Sequence, residues 1–187
     1  MDGQQDVAAA LLVRLAEDPG LPHIRLWAAI DLSRVRGHED SAAALLVSIA
    51  EDAGSYSRTA AAETLAGLEG YRAAGIALLA ELAGNPGGRT IPRIGAAGAL
   101  ARLGGPGEHR TAGITLLARF ADDAELDGVD RVWAAAELAG VEGHRATALT
   151  LLTHFAEEFK GIARRNAVDA LDDIRGGTPA AGYAEGT

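Results

Sequence analysis

The octapeptide LLVRLAED occupies Leu11–Asp18, and the same chain returns to it four more times: LLVSIAED at Leu45–Asp52, LLAELAGN at Leu78–Asn85, LLARFADD at Leu116–Asp123 and LLTHFAEE at Leu151–Glu158. Each copy is followed by a short linker bearing glycine or proline, and then by an arginine that opens a second segment: Arg25, Arg58, Arg93, Arg131 and Arg164. The unit therefore recurs five times, at steps of 33 to 38 residues. Self-similarity at such a period marks a repeat architecture, in which each unit buries its apolar face only against its neighbours. The near-identical RLWAAIDL (Arg25–Leu32) and RVWAAAEL (Arg131–Leu138) are the second halves of units one and four.

Both segments carry a helical period. In the first, Leu12, Leu15, Ala16 and their counterparts recur at three- and four-residue spacing and make one stripe. In the second, counting from the arginine, position +3 is always alanine (Ala28, Ala61, Ala96, Ala134, Ala167) and +7 always leucine (Leu32, Leu65, Leu100, Leu138, Leu171). Position +10 is Val, Leu or Ile, and completes the expected core stripe. Units are joined by RGHED, EGYR, PGEHR and EGHR, whose glycines suit a left-handed cap just past a helix end. The expectation is an all-α chain: five antiparallel helix pairs, about 6–40, 41–72, 73–110, 111–145 and 146–176, stacked over residues 1–176 into a right-handed α-solenoid. The turn-rich GGTPAAGYAEGT at the end predicts a disordered tail over 177–187.

A leucine-rich helix, an acid near its end, a short turn, then arginine followed by a small-residue pair and leucine resembles the HEAT repeat and its HEAT-like, armadillo-like relatives. The resemblance covers nearly the whole chain, from about Asp6 to Gly176. One departure is that Pro19, Pro22, Pro86 and Pro92 fall in the linkers within units rather than inside the first helices. The resemblance implies scaffolding and interaction roles more often than catalysis. It also implies a ladder of charge-assisted hydrogen bonds between adjacent units. That ladder would pair the opening arginines Arg25, Arg58, Arg93, Arg131 and Arg164 with the residues closing the preceding helix, Asp18, Asp52, Asn85, Asp123 and Glu158. Such a partner is needed because a cation in the first turn of a helix opposes the macrodipole.

Composition narrows the classes. Hydrophobic residues are 48% but aromatics only 4%, which suits close-packed alanine-rich helices better than a β-sandwich. The chain contains no cysteine, so disulfides and thiolate metal sites are excluded. MDGQQDVAAALLVRL lacks the basic start of a signal peptide, and no apolar run reaches membrane-spanning length; a soluble, cytoplasmic protein is expected. The net charge of −9, with Lys160 the sole lysine, weighs against nucleic-acid binding.

Variation within the repeat singles out candidate functional residues, because positions that agree in every unit serve the fold. Position +2 reads Trp27, Ala60, Gly95, Trp133, Asn166; position +6 reads Asp31, Thr64, Ala99, Glu137, Ala170; position +9 reads Arg34, Gly67, Arg102, Gly140, Asp173. These positions are expected on the face opposite the core stripe, lining a concave groove in which Trp27, Asp31, Arg34, Arg102, Trp133 and Glu137 contact a partner. His38, His109 and His144 fall in equivalent turns where unit two has Tyr71, a pattern of turn residues rather than metal ligands. GGPG at Gly104–Gly107 lacks the Lys-Ser/Thr of a phosphate loop. No catalytic residue, metal or cofactor is expected.

The leading expectation is a non-catalytic scaffold or adaptor that binds a protein or peptide along the second helices. One alternative is a HEAT-like DNA-binding protein or alkylpurine DNA glycosylase-type enzyme, with Asp31 or Glu137 as its carboxylate. Another is a regulatory repeat fragment of a larger protein. The first helix, DVAAALLVRL, opens with little polar capping, which suggests an N-terminal neighbour or self-association through the first repeat; Asp169, Asp172 and Asp173 suit the last helix to a terminal face.

Overall fold

A computed structural model describes residues 2–52, 57–105 and 107–176. Among the described residues there are ten helices and no strand: α1 (Asp2–Glu17), α2 (Pro22–Leu32), α3 (Glu39–Glu51), α4 (Arg58–Gly67), α5 (Arg72–Gly84), α6 (Thr90–Leu103), α7 (Glu108–Asp122), α8 (Gly128–Ala139), α9 (Arg145–Glu158) and α10 (Gly161–Gly176). Each repeat unit thus supplies two helices. The tail expected over 177–187 lies outside the described residues.

The chain divides into two compact units, Met1–Glu81 and Leu82–Thr187, with the division falling inside α5. In the first unit, α1 packs on α2, α2 on α3 and α3 on α4, with further contacts between α1 and α3 and between α2 and α4. The second unit repeats this plan: α6, α7, α8 and α9 each pack on the next, and α6 meets α8 as α8 meets α10. Thus α2, α4, α8 and α10 each touch their own pair member, and α2 meets α4 as α6 meets α8 and α8 meets α10.

The core follows the repeat. All five +3 alanines and all five +7 leucines are buried. In the first helices Leu46, Ile49 and Ala50 are buried, as are Leu79, Leu82 and Ala83, and Leu117, Phe120 and Ala121. Leu15, at the position of Ile49 and Phe120, is instead 39% exposed. The turns that lead into α3, α5 and α9 contain Gly37, Gly70 and Gly143 at φ 84°, 82° and 85°. Only glycine enters that left-handed region without a Cβ penalty, so the three turns share one backbone shape.

A further position emerges from packing. Three residues before four of the five leucine pairs, the first helix carries Ala42, Gly75, Gly113 or Ala148, all buried, whereas Ala8 in the first repeat is exposed. A Cβ on Gly75 would stand 2.2 Å from the Ala66 backbone nitrogen of α4, and one on Gly113 would stand 2.6 Å from the Ala97 carbonyl oxygen of α6. Here two helix backbones nearly touch, and the side chain must be small.

Gly75→Ala should therefore destabilise the protein by about 1–3 kcal/mol, although alanine favours helix. Gly67→Ala, at the open end of α4 with no atom within 4 Å of the new methyl, should be neutral or stabilising by up to about 1 kcal/mol. Urea denaturation of the two variants separates the effects; equal midpoints would refute the close-approach assignment.

Candidate interaction surface

The opening arginines stand in the first turns of second helices, where their charge opposes the dipole of the helix that carries them. The structure supplies a different partner from the expected acids. Arg25 donates from Nε to the Ala16 carbonyl at 3.0 Å, Arg58 to Ala50 at 2.7 Å, Arg93 to Ala83 at 3.5 Å and Arg131 to Ala121 at 3.0 Å. Each acceptor lies in the last turn of the first helix of the same repeat, where carbonyls have no partner along the helix. The guanidinium thus leaves its own positive helix end and caps the negative end beside it. Arg164, the fifth of the series, is exposed.

The planar faces of two of these guanidiniums meet the following pair. Arg93 lies 5.0 Å from the centroid of Phe120, and Arg131 lies 5.0 Å from Phe155 and 5.1 Å from Phe159, within cation–π range. In the first unit Arg25 instead reaches Asp52 of the next repeat at 3.4 Å. That ion pair joins an opening arginine to one of the expected acids. Asp18, Asn85 and Asp123 close their own linkers instead, accepting from the amides of Gly20, Gly87 and Glu125 at 2.8, 3.0 and 3.0 Å. Glu158 pairs with His154 at 3.1 Å, and both are exposed.

A second arginine series escaped the sequence reading. Arg110, early in α7, donates to the Glu142 carbonyl just past α8 at 2.9 Å, and Arg145, at the start of α9, donates to the Ile174 carbonyl near the end of α10. Capping therefore runs in both directions across these antiparallel pairs. The signal was present in the HR of PGEHR and EGHR.

The six groove candidates do not behave alike. In the first unit Trp27 is 64% exposed, and Asp31 and Arg34 form an exposed i,i+3 ion pair at 2.8 Å. In the second unit the polar candidates are locked together. Arg102 on α6 pairs with Glu137 on α8 at 2.5 Å, with the Glu137 side chain only 15% exposed. Glu137 lies over Gly98, whose missing Cβ would stand 2.1 Å from the carboxylate oxygen. Trp133 is half-buried, its indole nitrogen covered and without a hydrogen-bond partner.

The reason is angular. At about 100° per residue, positions +2, +6 and +9 centre roughly 100° from the +3/+7/+10 stripe, not opposite it. Position +6 therefore turns toward the adjacent second helix. In the second unit Ala99 and Ala170 are fully buried and the Glu137 side chain is 15% exposed, whereas Asp31, at the same position in the first unit, is exposed. Positions +2 and +9 stay nearer to solvent.

A larger exposed feature lies beside Trp27. Of the ten large hydrophobic residues exposed among the described residues, six fall between Val7 and Trp27: Val7, Leu11, Leu15, Leu21, Ile24 and Trp27. Val7, Leu11 and Leu15 run along α1 at four-residue spacing, a single stripe. Leu21 and Ile24 lie at the start of α2. Scattered exposed hydrophobics are ordinary, but a cluster of this kind marks an interaction surface.

Other features give no site. Among the described residues no group of three or more His, Asp or Glu side chains converges as metal ligands would. A dip along α9 is lined by Leu149, Thr150, Thr153, His154 and Glu157, all from one helix, so it is surface relief rather than a cleft. Of the turn residues, Tyr71 donates its hydroxyl to Asp40 at 2.7 Å. The hydrogen bond, then burial and the Asp40 charge, raise the phenol above its ordinary range. Asp127 caps α8, accepting from the Val129 and Asp130 amides at 2.8 and 2.9 Å. Burial, and then the Asp127 charge, push the Asp130 carboxyl up. No described helix is long and apolar enough to cross a membrane. No protein-family model, curated protein or solved structure matches this chain.

Two predictions follow from the capping and turn contacts. Arg131→Leu should cost about 2 kcal/mol in urea unfolding, the scale of a hydrogen bond to a charged group, whereas Arg164→Leu should stay within about 0.5 kcal/mol. Tyr71→Phe should lower the unfolding midpoint at neutral pH. Because the folded phenol titrates above the unfolded one, its contribution is complete below the ordinary tyrosine range and disappears as pH rises through the raised value. Midpoints of both proteins measured from neutral to strongly alkaline pH should converge.

Proposed function

We propose that this protein is a non-catalytic interaction module, a HEAT-like α-solenoid of five helix pairs that binds protein through the exposed face of its first pair. The observation that carries the reading is the concentration of exposed Val7, Leu11, Leu15, Leu21, Ile24 and Trp27 on α1 and the start of α2. The alternating contacts between successive helices, and between second helices of adjacent pairs, are consistent with a solenoid.

Trp27 is the anchor of this surface. It is large, mostly exposed and flanked by the Asp31–Arg34 pair, which supplies a polar edge of both signs. The helices beneath are held by arginine caps, so little ordering entropy is lost on binding. Trp133, Glu137 and Arg102 belong to the packing of the second unit in this reading, not to a partner site. The same geometry weighs against the DNA glycosylase-type alternative: Glu137 is already neutralised by Arg102 and has little access to a base. The net charge of −9 points the same way.

Trp27→Ala should weaken partner binding by roughly 30-fold, the scale of a hot-spot truncation of about 2 kcal/mol, with helical content unchanged. Trp133→Ala should act through stability instead, lowering the unfolding midpoint. Capture from native extract, compared across the wild type and both variants, tests the assignment; undiminished capture by the Trp27 variant would sink it.

A further inference from the structure

The interior junctions show what the exposed face of the first pair lacks. In the second unit, the side of a pair that looks toward the preceding repeat is covered. Phe120 and Phe155 lie under Arg93 and Arg131 of the preceding second helix, and Ala163 sits where a Cβ on Gly128 would be 2.9 Å away. The matching positions of the first pair are Leu15 and Ile24, which are exposed. Val7 and Leu11 extend the Leu15 stripe along α1, and Trp27 and Leu21 extend Ile24 along α2. Among the described residues this apolar face has no cover.

The last pair, at α10, differs in chemistry. The positions one, four and eight residues after the opening arginine are Ile94, Ala97 and Ala101 in α6, all fully buried. In α10 the same positions are Arg165, Val168 and Asp172, exposed together with Asp169. Stacking the first pair of one copy on α10 of another would set these charges against leucine and valine and strip them of water, at a desolvation cost that a like apolar face does not incur.

Building on the association reading above, we infer that the occupant of the α1–α2 face is the same face of a second copy of this chain. Val7, Leu11 and Leu15 form an i±4 ridge, the element that interdigitates with an identical ridge when two helices cross at about −50°. Ala8, exposed beside the ridge, leaves low ground for the partner's side chains. Two identical ridges meet the requirement of a two-fold contact, in which one patch complements itself. Six side chains of this size, each about half exposed, present on the order of 400 Å² per copy. That is about half of the ~800 Å² each partner buries in a stable complex, with the rim supplying the rest. The rim carries Arg14, Asp31 and Arg34, charges of both signs, and residues 2–34 hold five acids and three arginines, a small share of the net −9. Like-charge repulsion is therefore weak at this face.

Sedimentation of the full chain over a wide concentration series is the test. The mass should rise from 19.2 kDa to twice that value and stop. Leu11→Glu and Ile24→Glu should each hold the protein monomeric with unchanged helical content, while Val168→Glu should leave the dimer intact. Concentration should also shield Trp27 from acrylamide quenching in a Trp133→Phe background, a readout that survives if a glutamate variant misfolds. A strict monomer with Trp27 equally quenchable at every concentration overturns the inference. So does a mass that climbs without limit, or a dimer abolished by Val168→Glu. A monomeric result leaves the wider association reading to be decided separately by the Trp27-dependent capture above.

Discussion

A helix hairpin leaves unpaired carbonyls at one helix end beside unpaired amides at the next, and how this chain satisfies the carbonyls organises its structure. A guanidinium is always charged and carries donors in a rigid fork, so a single side chain can serve a carbonyl with one edge and a neighbour with its face. Arg93 and Arg131 do both: Nε to the alanine carbonyl of their own pair, and the plane over a phenylalanine of the following pair. The acceptor residue is alanine in all four cases, and Ala16, Ala50, Ala83 and Ala121 are all buried.

Much of this was readable in the amino acids. Periodicity gives two helices per unit, the +3 alanines and +7 leucines as core, and glycine in the turns; the positive φ values at Gly37, Gly70 and Gly143 match that reading. The acceptors of the arginines were not readable, because a carbonyl is present at every residue and leaves no mark in the letters. An acid nearby is the more visible candidate, yet Asp18, Asn85 and Asp123 spend their oxygens on the linker amides two residues on. Ala42, Gly75, Gly113 and Ala148 were legible in principle, as an aligned column of small residues. Alanine is so common here that the column does not stand out until the backbones are seen to meet.

The groove was the least legible feature. Treating +2, +6 and +9 as a single outward face ignores how far around the helix they spread, and Glu137 consequently turns out to be a packing residue over Gly98. The two tryptophans show the same limit. They occupy one register position in nearly identical octapeptides, yet Trp27 is exposed and Trp133 is half-buried. Their surroundings come from adjacent helices, and a local motif cannot encode them. Leu15 illustrates the converse: its pattern is that of core, yet it is 39% exposed.

The paired capping also bears on how such a chain grows. Where each helix end is served by a residue of its own pair, and each stacking arginine meets a side chain supplied by the next pair, a whole pair can be duplicated or deleted without stranding a carbonyl. Length then becomes an evolvable quantity, changed in blocks by recombination within the gene. The 33- to 38-residue spacing of the five copies is the trace expected of that process.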